Sequence, residues 1–142
     1  MIADYNNMPR MFRECKQKYF NGMLPPPKYE IMHKFYTLGR FSWRKNKKGK
    51  HPIKDATIAM TDYYDFDEDT FRDIMVHEMI HYYLLYYGEG KANHGKEFRA
   101  MAKELNEKYG LNVEVKKDVF FFKRSGFAPK HASLWEFVTS SF

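Results

Sequence analysis

The chain has 142 residues, which suits one domain with its own hydrophobic core. Its composition, 44% apolar and 18% aromatic, excludes intrinsic disorder, and its single cysteine excludes an intramolecular disulfide and a cysteine-based zinc ribbon. Its N-terminus lacks a signal-peptide pattern and no apolar run reaches membrane-spanning length, so we expect a cytoplasmic protein.

The net charge of +6 is concentrated in the segment 44–54, and the rest of the chain balances 18 basic against 18 acidic residues. A solvated loop is the simpler interpretation of such a segment. Contact with DNA or another polyanion is the alternative, because clustered cations neutralise phosphates and release counterions. The candidate nucleic-acid-binding residues are Arg44, Lys45, Lys47, Lys48 and Lys50. If DNA does bind there, we expect the protein at the nucleoid.

The first half of the chain predicts one helix followed by strands. Apolar residues recur at helical spacing over 8–20, and a proline-rich stretch then stops the helix. Three segments rich in β-branched and aromatic residues follow at 28–36, 38–44 and 55–61. They predict a small antiparallel or mixed sheet, with the basic loop before its third strand.

The second half predicts two helices and a hairpin. An acidic stretch over 62–69 favours the start of a helix at 70–87, which is apolar on nearly every side and is therefore expected to be buried. An amphipathic helix is predicted over 94–109, ending at a glycine. Beyond it we expect a hairpin that pairs 112–115 with 118–123.

The buried helix carries the sequence HEMIH, which has the spacing of a catalytic metal motif. His77 and His81 are four residues apart, so both imidazoles project from one helical face and can bind one ion, for which Zn²⁺ is the usual choice. Glu78 is rotated away from that face, yet it can reach a water beside the ion. Two ligands and a general base are the arrangement for metal-assisted hydrolysis.

A catalytic zinc site needs a third protein ligand. The compact spacing of some metal motifs would require a histidine at position 87, where this chain has Tyr87. His94, thirteen residues past the second histidine and at the start of the next helix, is the preferred candidate. Among the downstream glutamates Glu97, Glu104 and Glu107, the best spaced is Glu104, which is the fallback.

Other interpretations of the motif remain open from the residues alone. His77, Glu78 and His81 could form a hydrogen-bonded polar cluster inside a core helix. A closed structural zinc site would need a fourth protein ligand and would have no use for Glu78. A DNA-binding module that keeps the metal for stability alone is the third possibility.

Several motifs in one order resemble the SprT-like family of zinc metalloproteases, which includes the Spartan proteases. The segment HEMIHYYLLYYGEGKANHGKEFRAMAKELN resembles the family's HExxH, HGxxF and following helix, while YFNGMLPPP and YTLGRFSW resemble its first helix and Leu-Gly-Arg-Phe strand. The resemblance covers residues 8 to about 116. It implies that His77, His81 and His94 bind one Zn²⁺, and that Glu78 is the general base for hydrolysis of peptide bonds.

The resemblance also implies a fold and a setting. It implies an α+β, zincin-like core, in which a small sheet packs with an N-terminal helix, the HExxH helix and a following helix. We assign the SprT-like domain to residues 1–123 and expect a tail of unknown role over 124–142 that packs on the same domain. The strand at 55–61 is then the candidate for pairing with an extended substrate. Spartan proteases degrade proteins crosslinked to DNA, which implies DNA as a partner, but the C-terminal zinc ribbon of many members has no counterpart here.

Overall fold

The computed structural model of the chain describes residues 1–88, 95–120 and 122–130. Within these ranges the fold is α+β, with three helices and one three-stranded mixed sheet, which confirms the predicted class. The elements in chain order are α1 (Asn7–Tyr19), β1 (Lys28–Met32), β2 (Gly39–Lys45), β3 (Ile53–Thr61), α2 (Glu68–Tyr87) and α3 (Lys96–Tyr109).

Helix α2 is the centre of the molecule. It begins at Glu68, two residues before the predicted start, because the Asp67 side chain accepts a hydrogen bond from the Thr70 backbone N–H at 2.7 Å and caps the first turn. Helices α1 and α3 and strands β2 and β3 all contact it. Its side chains from Ile74 to Ile80 are buried without exception. The prediction of a central buried helix is therefore confirmed.

The strand order corrects the expected position of the substrate strand. Strand β3 lies in the middle of the sheet, parallel to β1 on one side and antiparallel to β2 on the other. Both of its edges are occupied by these partners, so the prediction that residues 55–61 pair with a substrate is wrong. The sheet is mixed, which is one of the two arrangements predicted from the sequence, and β1 lies on the side of β3 opposite to β2. Within the described ranges, β2 has β3 as its one strand partner.

The predicted hairpin over 112–115 and 118–123 is also wrong. Residues 111–120 contain neither helix nor strand, and their backbone is held by side chains instead. Near the chain end, Arg124 forms an isolated antiparallel bridge with Tyr64. Residues 131–142 lie outside the described residues, so the proposed boundary between domain and tail stays a prediction.

None of the described helices is both long enough and apolar enough to span a lipid bilayer.

Candidate metal centre

His77, Glu78 and His81 converge at one point of α2. Each offers a ligand atom, and the three atoms all lie within 4.8 Å of one another. The two imidazole rings are 5.1 Å apart between centroids, as expected for residues one turn apart on one face. Imidazole nitrogens and a carboxylate are donors that suit zinc and its neighbours among the transition metals. The group could therefore hold a metal ion.

The orientation of His77 is fixed by a backbone carbonyl. The ring is completely buried, and its Nδ1 lies 2.8 Å from the carbonyl oxygen of Glu114. Because a carbonyl can only accept, Nδ1 must carry the proton and donate it. In a neutral imidazole this leaves Nε2 as the nitrogen with a lone pair, which is the form that binds a metal.

Phe98 of α3 packs against both histidines. Its ring centroid is 4.7 Å from that of His77 and 4.7 Å from that of His81, and the side chain is 1% exposed. An aromatic ring wedged against two imidazoles restricts their rotation. The phenylalanine of the HGxxF motif thus explains why that motif accompanies HExxH: it brings α3 onto the histidine face of α2.

Glu78 is buried without a hydrogen-bond partner for one of its oxygens. The residue is 1% exposed, and within the described residues Oε2 has no such partner. Burial alone raises the pKa of this carboxyl to about 8. A buried carboxylate with an unsatisfied oxygen destabilises a fold unless a cation or a bound water is beside it. This orphaned oxygen is the observation that best fits a metal and its water at this place.

Gly39, the first residue of β2, makes room for Glu78. A Cβ at position 39 would lie 2.7 Å from Glu78 Oε2, which is closer than real Cβ contacts allow, and 3.2 Å from its carboxyl carbon. The close approach of the carboxylate to the β2 backbone therefore favours the glycine of the LGRF motif. Strand β2 borders the candidate metal centre directly.

The third ligand cannot be assigned among the described residues. His94, the preferred candidate, lies outside them. The fallback Glu104 is exposed on α3 and does not belong to the His77–Glu78–His81 group; it lines a separate cavity with Tyr19 and Tyr83. On α3 it lies six positions beyond Phe98, which places it on a different side of the helix.

The candidate nucleic-acid-binding residues lie at the end of the sheet that carries the β2–β3 connection. Arg44 and Lys45 are exposed at the end of β2, and Lys47, Lys48 and Lys50 are exposed in the loop that follows. One of the five, Lys50, lines a cavity, which also has Tyr82 and Tyr86 of α2 in its wall.

Comparison with known proteins identifies the family. A sequence model of the SprT-like family matches residues 8–117. The chain belongs to the SprT-like family. A protein of Streptococcus gordonii named "Protein SprT-like" is 37% identical over 82 residues, which amount to 54% of this chain and 52% of that relative. The chain thus matches about half the length of this relative.

Two parts of this SprT-like centre escaped the sequence analysis. The hydrogen bond from His77 to the Glu114 carbonyl could not be predicted from residue types, because any residue at position 114 offers the same backbone oxygen. The contact between Gly39 and Glu78 joins residues 39 positions apart, although the glycine in LGRF signalled a close backbone approach. The HExxH spacing was sufficient to predict that His77 and His81 share one face of α2, with Glu78 close enough to reach a water beside a bound ion.

Gly39→Ala is expected to lower the free energy of unfolding of the metal-free protein by about 1–3 kcal/mol, because the new methyl group overlaps the buried Glu78 carboxylate. Urea unfolding measures the change. Gly126→Ala is the matched control, since a Cβ there meets nothing within 4 Å, and it should stay within about 0.5 kcal/mol of the native protein. In a Glu78→Ala background the penalty of Gly39→Ala should largely disappear. An equal penalty in both backgrounds would contradict the assigned contact.

Proposed function

We propose that this SprT-like protein is a zinc metallopeptidase of the zincin type. The observation that carries the proposal is the group of His77, Glu78 and His81, in which His77 and Glu78 are buried and His81 is half-buried, with one Glu78 oxygen lacking a hydrogen-bond partner within the described residues. A polar cluster that served stability alone would be expected to satisfy its buried atoms. A closed structural zinc site would gain nothing from a carboxylate beside its ligands.

His77 and His81 are the first two proposed ligands, and His94 is the third, on the strength of the HGxxF motif and the position of Phe98 beside both histidines. Three protein ligands leave a coordination position open for water or substrate, as catalytic zinc sites require. When bound, Zn²⁺ would polarise the scissile carbonyl and lower the pKa of the attacking water.

Glu78 acts as the general base in this proposal. Its carboxylate takes one proton from the attacking water as the oxygen bonds to the peptide carbonyl carbon. The same group then passes that proton to the leaving amine nitrogen as the C–N bond breaks. The products are a carboxylic acid and an amine, and Glu78 returns to its starting state. A cation beside Glu78 would oppose the effect of burial and favour the charged form that the first step needs.

We place the substrate along β2 instead of β3. Within the described ranges β3 is the one strand partner of β2, and we propose that an extended peptide pairs with the other edge of β2. Its first residue, Gly39, lies against the Glu78 carboxylate. A peptide added to this edge would therefore pass the general base, which is the geometry that hydrolysis requires.

Glu78→Gln is expected to keep the metal and to lower the rate of peptide cleavage by about 100- to 10,000-fold, because an amide cannot accept the proton. Cleavage of unfolded and DNA-binding proteins, with and without DNA, measures the rate, and metal analysis of the same samples measures occupancy. Glu104→Gln, on an exposed part of α3, is the control. Unchanged cleavage by Glu78→Gln would reject the general base. If the native protein binds zinc but cleaves none of these proteins, the result would favour the alternative of a DNA-binding module that keeps the metal for stability alone.

Removing a group that hydrogen-bonds to a metal ligand typically lowers metal affinity by about 10–100-fold. His94→Ala removes a proposed ligand itself, so we expect it to lower the affinity for zinc by at least this factor. Competition with a chromophoric chelator measures the dissociation constant. Glu104→Ala tests the fallback ligand and should leave the constant unchanged. If the Glu104 variant loses zinc and the His94 variant retains it, the ligand assignment is reversed.

A cavity beside the basic loop favours DNA as a partner. The cavity has a volume of about 420 Å³, and its lining includes Lys28, Lys50 and Lys54. His51 stacks on Tyr86 at its wall, with ring centroids 3.9 Å apart and planes 19° apart. In sites that bind single-stranded nucleic acid, lysines contact the phosphates and aromatic rings stack on the bases.

We propose that DNA bound at the segment 44–54 and at this cavity brings the peptidase to DNA-associated or DNA-crosslinked proteins. The DNA phosphate backbone would contact Lys50 within the cavity. Outside the cavity it would contact the exposed basic residues Arg44, Lys45, Lys47 and Lys48. In this proposal the peptidase takes part in the repair of DNA–protein crosslinks in the cytoplasm, in association with the nucleoid.

A double variant, Lys50→Glu with Lys54→Glu, is expected to weaken binding of a single-stranded oligonucleotide and to reduce the slope of log K against log salt by about 0.7 for each phosphate that the protein no longer neutralises. Fluorescence anisotropy at several salt concentrations measures both quantities. Lys103→Glu with Lys108→Glu on exposed α3 makes the same change in net charge and is the control. Equal affinity and slope for the native protein and the Lys50/Lys54 variant would reject the cavity as a DNA site.

A further inference from the structure

The segment 111–115 beyond α3 supplies the carbonyl that orients His77, yet it has no regular secondary structure. A strand would hold such a carbonyl through its ladder of hydrogen bonds, but no ladder exists here. The position of the Glu114 oxygen therefore depends on the side chains that hold this backbone. Through this carbonyl, those side chains influence the orientation of His77.

Asn106, in the last turn of α3, forms two side-chain hydrogen bonds with the backbone of Val113, the residue just before Glu114. Its side-chain oxygen accepts a hydrogen bond from the Val113 N–H at 2.8 Å, and its side-chain nitrogen donates one to the Val113 carbonyl at 3.1 Å. Both backbone groups of one residue are thus bound by one planar amide. The Asn106 backbone carbonyl also accepts from the Gly110 N–H at 2.9 Å, which closes the helix where the segment begins.

Two other side chains contact the segment. The Asp73 carboxylate on α2 accepts a hydrogen bond from the Asn112 backbone, and the Lys117 ammonium lies 3.4 Å from the Asn112 carbonyl and 3.3 Å from a carboxylate oxygen of Glu114. The contacts with Asn112 are two residues before Glu114, and the contact with the Glu114 side chain leaves the Glu114 backbone free to rotate. Asn106 alone among these groups binds both sides of the residue that precedes the Glu114 carbonyl.

We propose that Asn106 is a positioning residue for the metal centre, and this inference rests on the metal site proposed above. By holding Val113, Asn106 directs the Glu114 carbonyl at His77 Nδ1, keeps the proton on that nitrogen and presents Nε2 to the metal. Its amide is suited to the task because it offers a donor and an acceptor in one plane. The path from Asn106 to the ligand runs through two hydrogen-bonded contacts and one peptide unit.

The test compares Asn106→Ala and Asn106→Asp with the native protein. Asn106→Asp preserves the side chain's volume and its acceptor, but it replaces the donor with an oxygen that repels the Val113 carbonyl. Leu105→Ala is the matched control: Leu105 is the neighbouring residue, is buried in the core, and faces another cavity. Two-bond ¹H–¹⁵N spectra of the metal-free proteins report which His77 nitrogen carries the proton. Chelator competition reports the affinity for Zn²⁺.

Both Asn106 variants are expected to show a mixture of His77 tautomers and to bind zinc about 10-fold more weakly. This factor is at the low end of the loss of metal affinity seen when a group that orients a metal ligand is removed. Leu105→Ala should unfold at a lower urea concentration while its tautomer and zinc affinity stay native. A native tautomer and native affinity in both Asn106 variants would overturn the proposal, as would an equal loss in Leu105→Ala. If the native protein binds no zinc, the proposed function fails, whereas the tautomer measurement still tests Asn106.

Discussion

The burial of the His77 imidazole and the Glu78 carboxylate, beside the half-buried His81 and within an aromatic core, governs the arrangement of the elements around α2. Removing these groups from water is unfavourable by several kcal/mol unless each finds a partner. The Glu114 carbonyl satisfies one nitrogen of His77, and Phe98 encloses both rings. Gly39 leaves space for Glu78, whose remaining oxygen finds no hydrogen-bond partner in the described chain. A metal ion with its water, as proposed above, would resolve that deficit, and the burial of these groups would then account for the ion.

The local parts of this arrangement were predictable from the sequence. A spacing of four residues places His77 and His81 on one helical face whatever surrounds them, and apolar residues on nearly every side of α2 require it to be central. Acidic residues before the helix predicted its start, which Asp67 caps. Such features depend on contacts within one element, which residue order determines directly.

The long-range parts were not predictable in the same way. Alternation of side chains identifies β3 as a strand but does not say which strands lie beside it, and the parallel pairing with β1 moved it from the expected edge to the centre. The segment after α3 has the β-branched pattern of a strand, but Asn106 takes both backbone groups of Val113 that a ladder would have used. Side-chain bonds to the backbone compete with secondary structure and carry no periodic signal.

X-ray absorption at the zinc edge of the reconstituted protein tests the central claim most directly. We expect three imidazole nitrogens at about 2.0–2.1 Å, recognised by multiple scattering from the rings, and one further light-atom ligand in the open position. Scattering from fewer than two imidazoles would contradict the metal centre on α2. A sulfur neighbour at about 2.3 Å would show that the ion is held elsewhere, because the one cysteine, Cys15, is buried in α1.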